Sequence, residues 1–318
     1  MNMGKTQLIV CGSIAIDRIM NFGGSYTDLI EPAKLHVLSV SVLVDSLKEA
    51  SGGTGANIAY NLAALGNRPV LLGAAGHDAT AYLERLASQG VDTSQVHRSE
   101  LPTASFNVLT DSNNNQVGGF YPGAMADADG LSFAPWAGQD VLVCLSAHDP
   151  AAMRRQVAES ADHQLRLVYD PGQQVSNISA EDLQAGVAAA EVVIVNDYEL
   201  GVLSSKTGLS AADLQARVPV FITTHGVDGS VVSGNRLDHV TQISSAPPAR
   251  VTDPTGAGDA YRAGFLHGYL RQWDVKACGQ LGSVVASFVL EQVGTQTNLS
   301  HADISARYQQ IFNQEIEL

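Results

Sequence analysis

The segment Asp253-Pro254-Thr255-Gly256-Ala257-Gly258-Asp259 runs straight into a stretch that predicts a helix over Ala257–Arg271. Glycines at such a turn let the backbone approach a ligand without a side-chain collision. The free N–H groups of a first helical turn, together with the helix dipole, favour an anion. Asp259 is expected to stay ionised there, because the positive helix end favours its charged form. It would accept a proton from an alcohol attacking a phosphorus held beside it. A plain helix start with a dipole-matched aspartate accounts for the same residues.

Four further segments have this character. Thr223-Thr224-His225-Gly226-Val227-Asp228-Gly229 follows an apolar strand, the place where α/β proteins bind nucleotides; a tight turn into a hairpin is the simpler alternative. Asn196 and Glu199 stand three apart after another strand and share a helical face. A neutral oxygen and a carboxylate so placed would order Mg²⁺-bound water, or would merely form a capping pair. Gly52-Gly53-Thr54-Gly55-Ala56-Asn57 is a glycine turn before a helix, with Asn57 available to a polyol. Asp17 lies between Ile16 and Ile19, close to a core, where it would accept two vicinal hydroxyls or simply sit at a strand end. Neither G-x-x-x-x-G-K-S/T nor G-x-G-x-x-G occurs, which excludes a P-loop and counts against a standard dinucleotide unit.

These turns need strands and helices to carry them. Leu8–Cys11, Val70–Ala74, Val141–Leu145, Leu165–Tyr169, Val192–Val195 and Val220–Thr223 are continuously apolar, as parallel strands covered on both faces are. Helical stretches alternate with them: Ala56–Leu65, Ala79–Gln89, Ala151–Ala161, Ala180–Ala189, Tyr198–Ser204 and Ala211–Arg217. The expected fold is α/β, a central mostly parallel sheet flanked by helices. Two segments break the rhythm. Phe22–Leu47 carries short β-like pieces such as His36–Ser41, and Ser105–Thr110 with Gln116–Tyr121 reads as a hairpin. Together, over about residues 20–48 and 103–123, they are expected to form a small β lid on a single domain spanning 1–318. A second hairpin, Ser230–Ser233 with Arg236–Thr241, precedes the helices Ala257–Arg271, Val275–Glu291 and Ser300–Gln314.

Composition limits the partners. Hydrophobic residues make up 45% of 318, ample for a large core. Lys+Arg is 18 against Asp+Glu 32, a net −14, so neither nucleic acid nor an anionic membrane is an expected partner. An anionic ligand would have to be held by amides, helix ends, a few arginines and a metal. Cys11, Cys144 and Cys278 are far apart and form no CxxC pair, which fits a reducing, cytoplasmic setting. Apolar runs stop short of a membrane span, and Leu8–Ile16 reads as a core strand rather than a signal segment.

In this order the segments resemble the ribokinase-like, or PfkB, family of carbohydrate and nucleoside kinases, and the similarity runs along essentially the whole chain. Asp253 to Asp259 matches its C-terminal signature, Asn196 to Glu199 its N-x-x-E motif, and Gly52 to Asn57 its N-terminal glycine signature. The resemblance implies ATP-dependent phosphoryl transfer, which needs mainly positioning and charge stabilisation. It implies Asp259 as base and the amides of Gly256, Ala257 and Gly258 as an anion hole. Asn196 and Glu199 would belong to the Mg-nucleotide site, with Glu199 acting through water. Thr224, Gly226 and Gly229 would line the adenine-nucleotide cleft, and Asp17, Gly53 and Asn57 would hold sugar hydroxyls. Asp253, Thr255 and Gly294 are the positions for a K⁺ ion, although Pro254 departs from the commoner Thr.

Gly256 to Phe265, Phe120 to Met125 and Val293 to Thr297 resemble bacterial adenosine or nucleoside kinases more than fructokinases. The expected acceptor is therefore a nucleoside 5′-hydroxyl, adenosine first. A sugar kinase of the same family is the alternative, and a non-catalytic nucleoside or nucleotide sensor a more distant one. Phe22, Phe106, Phe120 and Tyr121 are candidates for a wall that stacks on a base, or for glue within the lid or a homodimer seam. Asp170-Pro171-Gly172-Gln173 would contact substrate or cap a loop.

Overall fold

A computed structural model of the chain describes residues 6–30, 36–37 and 39–318. Its strands, in chain order, are β1 (Gln7–Cys11), β2 (Ala15–Asn21), β3 (Ser46–Gly52), β4 (Val70–Leu72), β5 (Ala74–Ala75), β6 (His97–Arg98), β7 (Ala104–Thr110), β8 (Gln116–Tyr121), β9 (Val141–Leu145), β10 (Arg166–Tyr169), β11 (Val192–Asn196), β12 (Val220–Thr224), β13 (Ser230–Ser233) and β14 (Thr241–Ile243). The helices are α1 (Tyr26–Leu29), α2 (Thr54–Ala64), α3 (Thr80–Ser88), α4 (Pro150–Asp162), α5 (Ala180–Ala189), α6 (Asp197–Thr207), α7 (Ala211–Gln215), α8 (Ala257–Leu270), α9 (Val275–Leu290) and α10 (His301–Phe312).

Eight strands form one sheet in the order β14-β13-β12-β11-β10-β9-β1-β4. The six from β12 to β4 are mutually parallel, and β13 and β14 add an antiparallel edge. Successive residues face opposite sides, so each face collects its own core. Leu8, Val10, Leu142, Val168, Ile194 and Ile222 pack under α2, α3 and α8. Ile9, Cys11, Val143, Leu167, Val193 and Phe221 pack under α4 to α7. Both faces are buried, which is why these strands are apolar without alternation. The expected mostly parallel α/β sheet is found.

A second sheet, β3-β2-β7-β8, stands apart from the first. Strand β2 pairs antiparallel with β3 and parallel with β7, and β8 closes the β7–β8 hairpin. Two of its strands differ from expectation. Asp17 lies inside β2 rather than at the end of the first strand, and β3 begins at Ser46, near the end of the irregular segment. Leu38, within the expected piece His36–Ser41, lies outside the described residues, and Ser39–Ser41 form no strand. The polar, largely exposed run Ser46-Leu47-Lys48-Glu49 hides β3 from any reading of hydrophobic period. The hairpin after β12 also departs from expectation. Its return strand is Thr241–Ile243, because Asn235 N and Arg236 N donate back to Val218 O and Pro219 O instead of closing a tight turn.

Candidate active site

The glycine turn before α8 is built by three constraints. Gly256 caps the helix at φ 79°, and a Cβ there would lie 2.7 Å from the Thr295 side chain, so only glycine fits. The Asp253 carboxylate accepts from Thr255 N at 2.9 Å and from Gly294 N at 3.0 Å, tying two loops together. Ala257 N reaches back 3.4 Å to Pro254 O, so one of the three amides proposed for an anion is partly engaged within its own turn.

Asp259 sits on the first turn of α8, 8% exposed. Its Oδ2 accepts from Asn57 Nδ2 at 2.8 Å. The orientation of the Asn57 amide is fixed from behind. Asn57 Oδ1 accepts from Thr295 Oγ1 at 2.7 Å and from Gln296 Nε2 at 3.0 Å. Gln296 is held in turn by Arg85 Nη2 and the Tyr82 hydroxyl, each at 2.6 Å. With both donors on its oxygen, Asn57 has only its NH₂ left for the aspartate. Asn57 reaches this place because Gly53, at φ 92°, starts α2 in contact with the Ser13 carbonyl.

A cavity of about 590 Å³ opens beside this pair at the carboxyl ends of β1, β9, β10 and β11, the position where open α/β sheets bind ligands. Asp17, Gly53, Asn57, Glu199, Thr255, Gly256 and Asp259 all line it. Of the other expected site residues, Asp253, Thr255 and Gly294 share a smaller neighbouring cavity of about 220 Å³ with Asp17. Ala257, Gly258, Asn196, Thr224, Gly226 and Gly229 do not line the main cavity. Asn196 and Thr224 are paired across β11 and β12, with the Gly226–Asp228 turn following. His225 Nδ1 contacts the Asp197 carboxylate, linking the turn after β12 to the start of α6. Asn196 and Glu199 form a reciprocal capping box, with both hydrogen bonds at 2.8 Å. The capping pair is formed, and Glu199 also lines the main cavity, whereas Asn196 does not.

Four carboxylates and one cation line this cavity: Asp17, Asp170, Glu199, Asp259 and Arg262. Burial raises Asp259 from its ordinary 3.8 to about 6, against the opposing pull of Arg262 and the Asn57 hydrogen bond. A carboxyl that titrates near 6 is still mostly ionised at neutral pH, as the sequence reading expects, but burial makes it a weaker acid than the helix end alone would. The desolvation of the enclosed carboxyl outweighs Arg262 and the Asn57 hydrogen bond. Burial likewise raises Glu199, and raises Asp17 with help from Asp253. Burial opposes the charge on Arg262, but Asp170, Glu199 and Asp259 together outweigh it and keep the guanidinium protonated.

The aromatics divide. Phe106 and Phe120 are cross-strand partners on β7 and β8 and both line the cavity. The Phe106 ring lies where a Cβ on Gly118 would fall, 2.9 Å away, so that glycine makes its room. Phe22 is buried against Tyr26, ring centroids 5.1 Å apart, and belongs to the packing of the small sheet. Tyr121 is exposed and does not line the cavity. Asp170, Gly172 and Gln173 do line it, and Asp170 accepts from Ser146 Oγ at 2.7 Å. Sequence reasoning missed Arg262, Thr295 and Gln296 as site residues. For Arg262 the signal was its spacing, one helical turn beyond Gly258.

Comparison with known proteins places the chain among relatives. Residues 16–302 match the family described as pfkB family carbohydrate kinase. A nucleoside kinase of Methanothermobacter thermautotrophicus is 34% identical over 300 residues, covering 92% of this chain and 92% of that protein. The nucleoside kinase of Burkholderia thailandensis solved with inosine superposes with a TM-score of 0.86 at 31% identity, covering 97% of this chain and 100% of that one. Its complex described as ADP-inosine gives a TM-score of 0.81 at 31% identity, covering 97% of each chain. By sequence along most of its length and by fold, the chain belongs to the pfkB family of carbohydrate kinases.

Proposed function

We propose that this kinase transfers the γ-phosphate of ATP to the 5′-hydroxyl of a nucleoside. One observation carries the reading: an enclosed carboxyl, Asp259, sits at a helix start beside a glycine turn and faces a cavity that also holds two phenylalanines. Asp259 takes the hydroxyl proton, and the Gly256, Ala257 and Gly258 amides receive charge developing on the phosphoryl oxygens. Asp17, Gly53 and Asn57 hold the ribose hydroxyls. The apolar rings of Phe106 and Phe120, cross-strand partners that both line the cavity, would stack on a base, a contact worth about 1–3 kcal/mol. Two such rings suit a nucleoside better than a simple sugar. The kinship with nucleoside kinases, one of them solved with inosine, points the same way. Asn196, Thr224, Gly226 and Gly229 would face the nucleotide.

Glu199, which lines the cavity, is the carboxylate that would hold Mg²⁺ through water. When bound, the ion neutralises charge on the β- and γ-phosphates. Asp253, Thr255 and Gly294 are the place for K⁺. Burial works against the Asp253 charge, but the N–H groups of Thr255 and Gly294 hold its carboxyl below the usual range. No helix among the described residues is long and apolar enough to cross a membrane. The small sheet is proposed as lid and dimer seam, and the setting as cytoplasmic, without nucleic acid as partner.

The test is a coupled ADP-release assay over a panel of nucleosides and sugars. Turnover of purine nucleosides with no turnover of ribose or fructose is expected. Turnover of sugars alone would replace this reading with a sugar kinase.

A further inference from the structure

Arg262 lies on α8 one turn beyond Gly258. Helical side chains lean towards the helix N-terminus, and its guanidinium is carried back over the glycine turn. A Cβ on Gly258 would lie 2.7 Å from Arg262 Nη1. The residue is 9% exposed and is the sole cation among four carboxylates around the cavity. Only one of its nitrogens is well used: Nη2 donates to Asp170 Oδ1 at 2.6 Å and stands 3.9 Å from Glu199 Oε2. Nε is buried and, among the described residues, has no hydrogen-bond partner.

A buried, unpaired N–H on a charged group costs stability unless something occupies it. A cavity ringed by carboxylates would also repel a phosphoryl group unless a positive charge faced it. Both needs are met by one ligand. Resting on the kinase reading above, we propose that Arg262 is a phosphate-binding residue for the transferred group, held ready by Asp170 and presented across Gly258. Asp170 anchors one end of the guanidinium, and the Nη1 N–H groups that lie over Gly258 are offered to the γ-phosphate oxygens. Arginine suits this place because its planar fork serves two anions at once. Gly258 is glycine on this account to let the guanidinium lie over the turn, in addition to any amide it presents.

The experiment is calorimetric titration of the full chain and Arg262→Gln with inosine, with ADP and with a non-hydrolysable ATP analogue, alongside turnover. The analogue should weaken about tenfold or more, since a hydrogen bond to a charged group is lost. Inosine and ADP should change less than about threefold, and turnover should fall about 10²–10³-fold. Arg262→Lys, which keeps charge but loses the fork, should recover part of the analogue affinity. Should Arg262→Gln fail to fold, Arg262→Gln with Asp170→Asn removes both members of the buried pair and takes the same titrations. Analogue and ADP affinities that move together, or not at all, would overturn the assignment. Nucleoside turnover by the native chain without that discrimination sinks Arg262 alone. Arg262-dependent analogue binding with no nucleoside turned over sinks the nucleoside reading and leaves the phosphate site standing.

Discussion

Asp259 does two opposed things. As the proposed base it has to lose its proton, yet its surroundings raise its pKa to about 6. Between its ordinary 3.8 and about 6 the folded chain binds a proton there that the unfolded chain releases. Its contribution to stability therefore falls as pH rises through that window and is level above it. Asp259→Asn should then be more stable than the native chain at pH 7, by about 1–3 kcal/mol, and slower by at least about 10²-fold. Thermal melts and turnover read the two effects; a variant both slower and less stable would show that the charge is not strained. Activity of the native kinase should rise with pH through an acid limb near 6. The identity of this residue was legible from the signature around it. Its acidity was not, because burial is made by α2, α8 and the 295–296 loop together, and no local pattern records that. Gln296 shows the same limit: it is 239 residues from Asn57 in the chain.

At the scale of elements, the site depends on how closely two backbones approach. The end of β1 and the start of α2 meet through Gly12 and Gly55, where a Cβ on Gly55 would lie 2.7 Å from the Gly12 backbone. There is no flexible side chain to yield. Gly55→Ala should cost about 1–3 kcal/mol, as overpacking does, and should weaken nucleoside binding by shifting the helix that carries Asn57. Denaturant unfolding and calorimetry on the one variant check both. A tolerated Gly55→Ala would mean that α2 can slide without disturbing the site. The elements of the large sheet were legible because apolar runs bury both faces; β3 was not, because its exposed residues carry no apolar alternation.

The whole molecule places the cavity between two sheets: Asp17, Phe106 and Phe120 come from the small one, and Asp170, Glu199 and Asp259 from the large one and its helices. A nucleoside bound there should bridge them. At 100 times its dissociation constant it should stabilise the fold by about 2.7 kcal/mol. Amide exchange should slow in 15–21, 46–52 and 104–121 as well as around α8. Protection confined to the large sheet would exclude the small one from the site. The net −14 leaves the chain ill-suited to polyanions as a whole, so the phosphate binding proposed above has to be local.

That arrangement has a bearing on redesign. Strand β3 ends at Gly52, and the very next residue, Gly53, caps the start of the helix that holds Asn57 against Asp259. The small sheet, proposed to choose the acceptor, and the amide that hydrogen-bonds the proposed proton taker share one joint in the chain. Anyone re-cutting the small sheet to admit a different alcohol should expect the reaction's pH preference to drift with it.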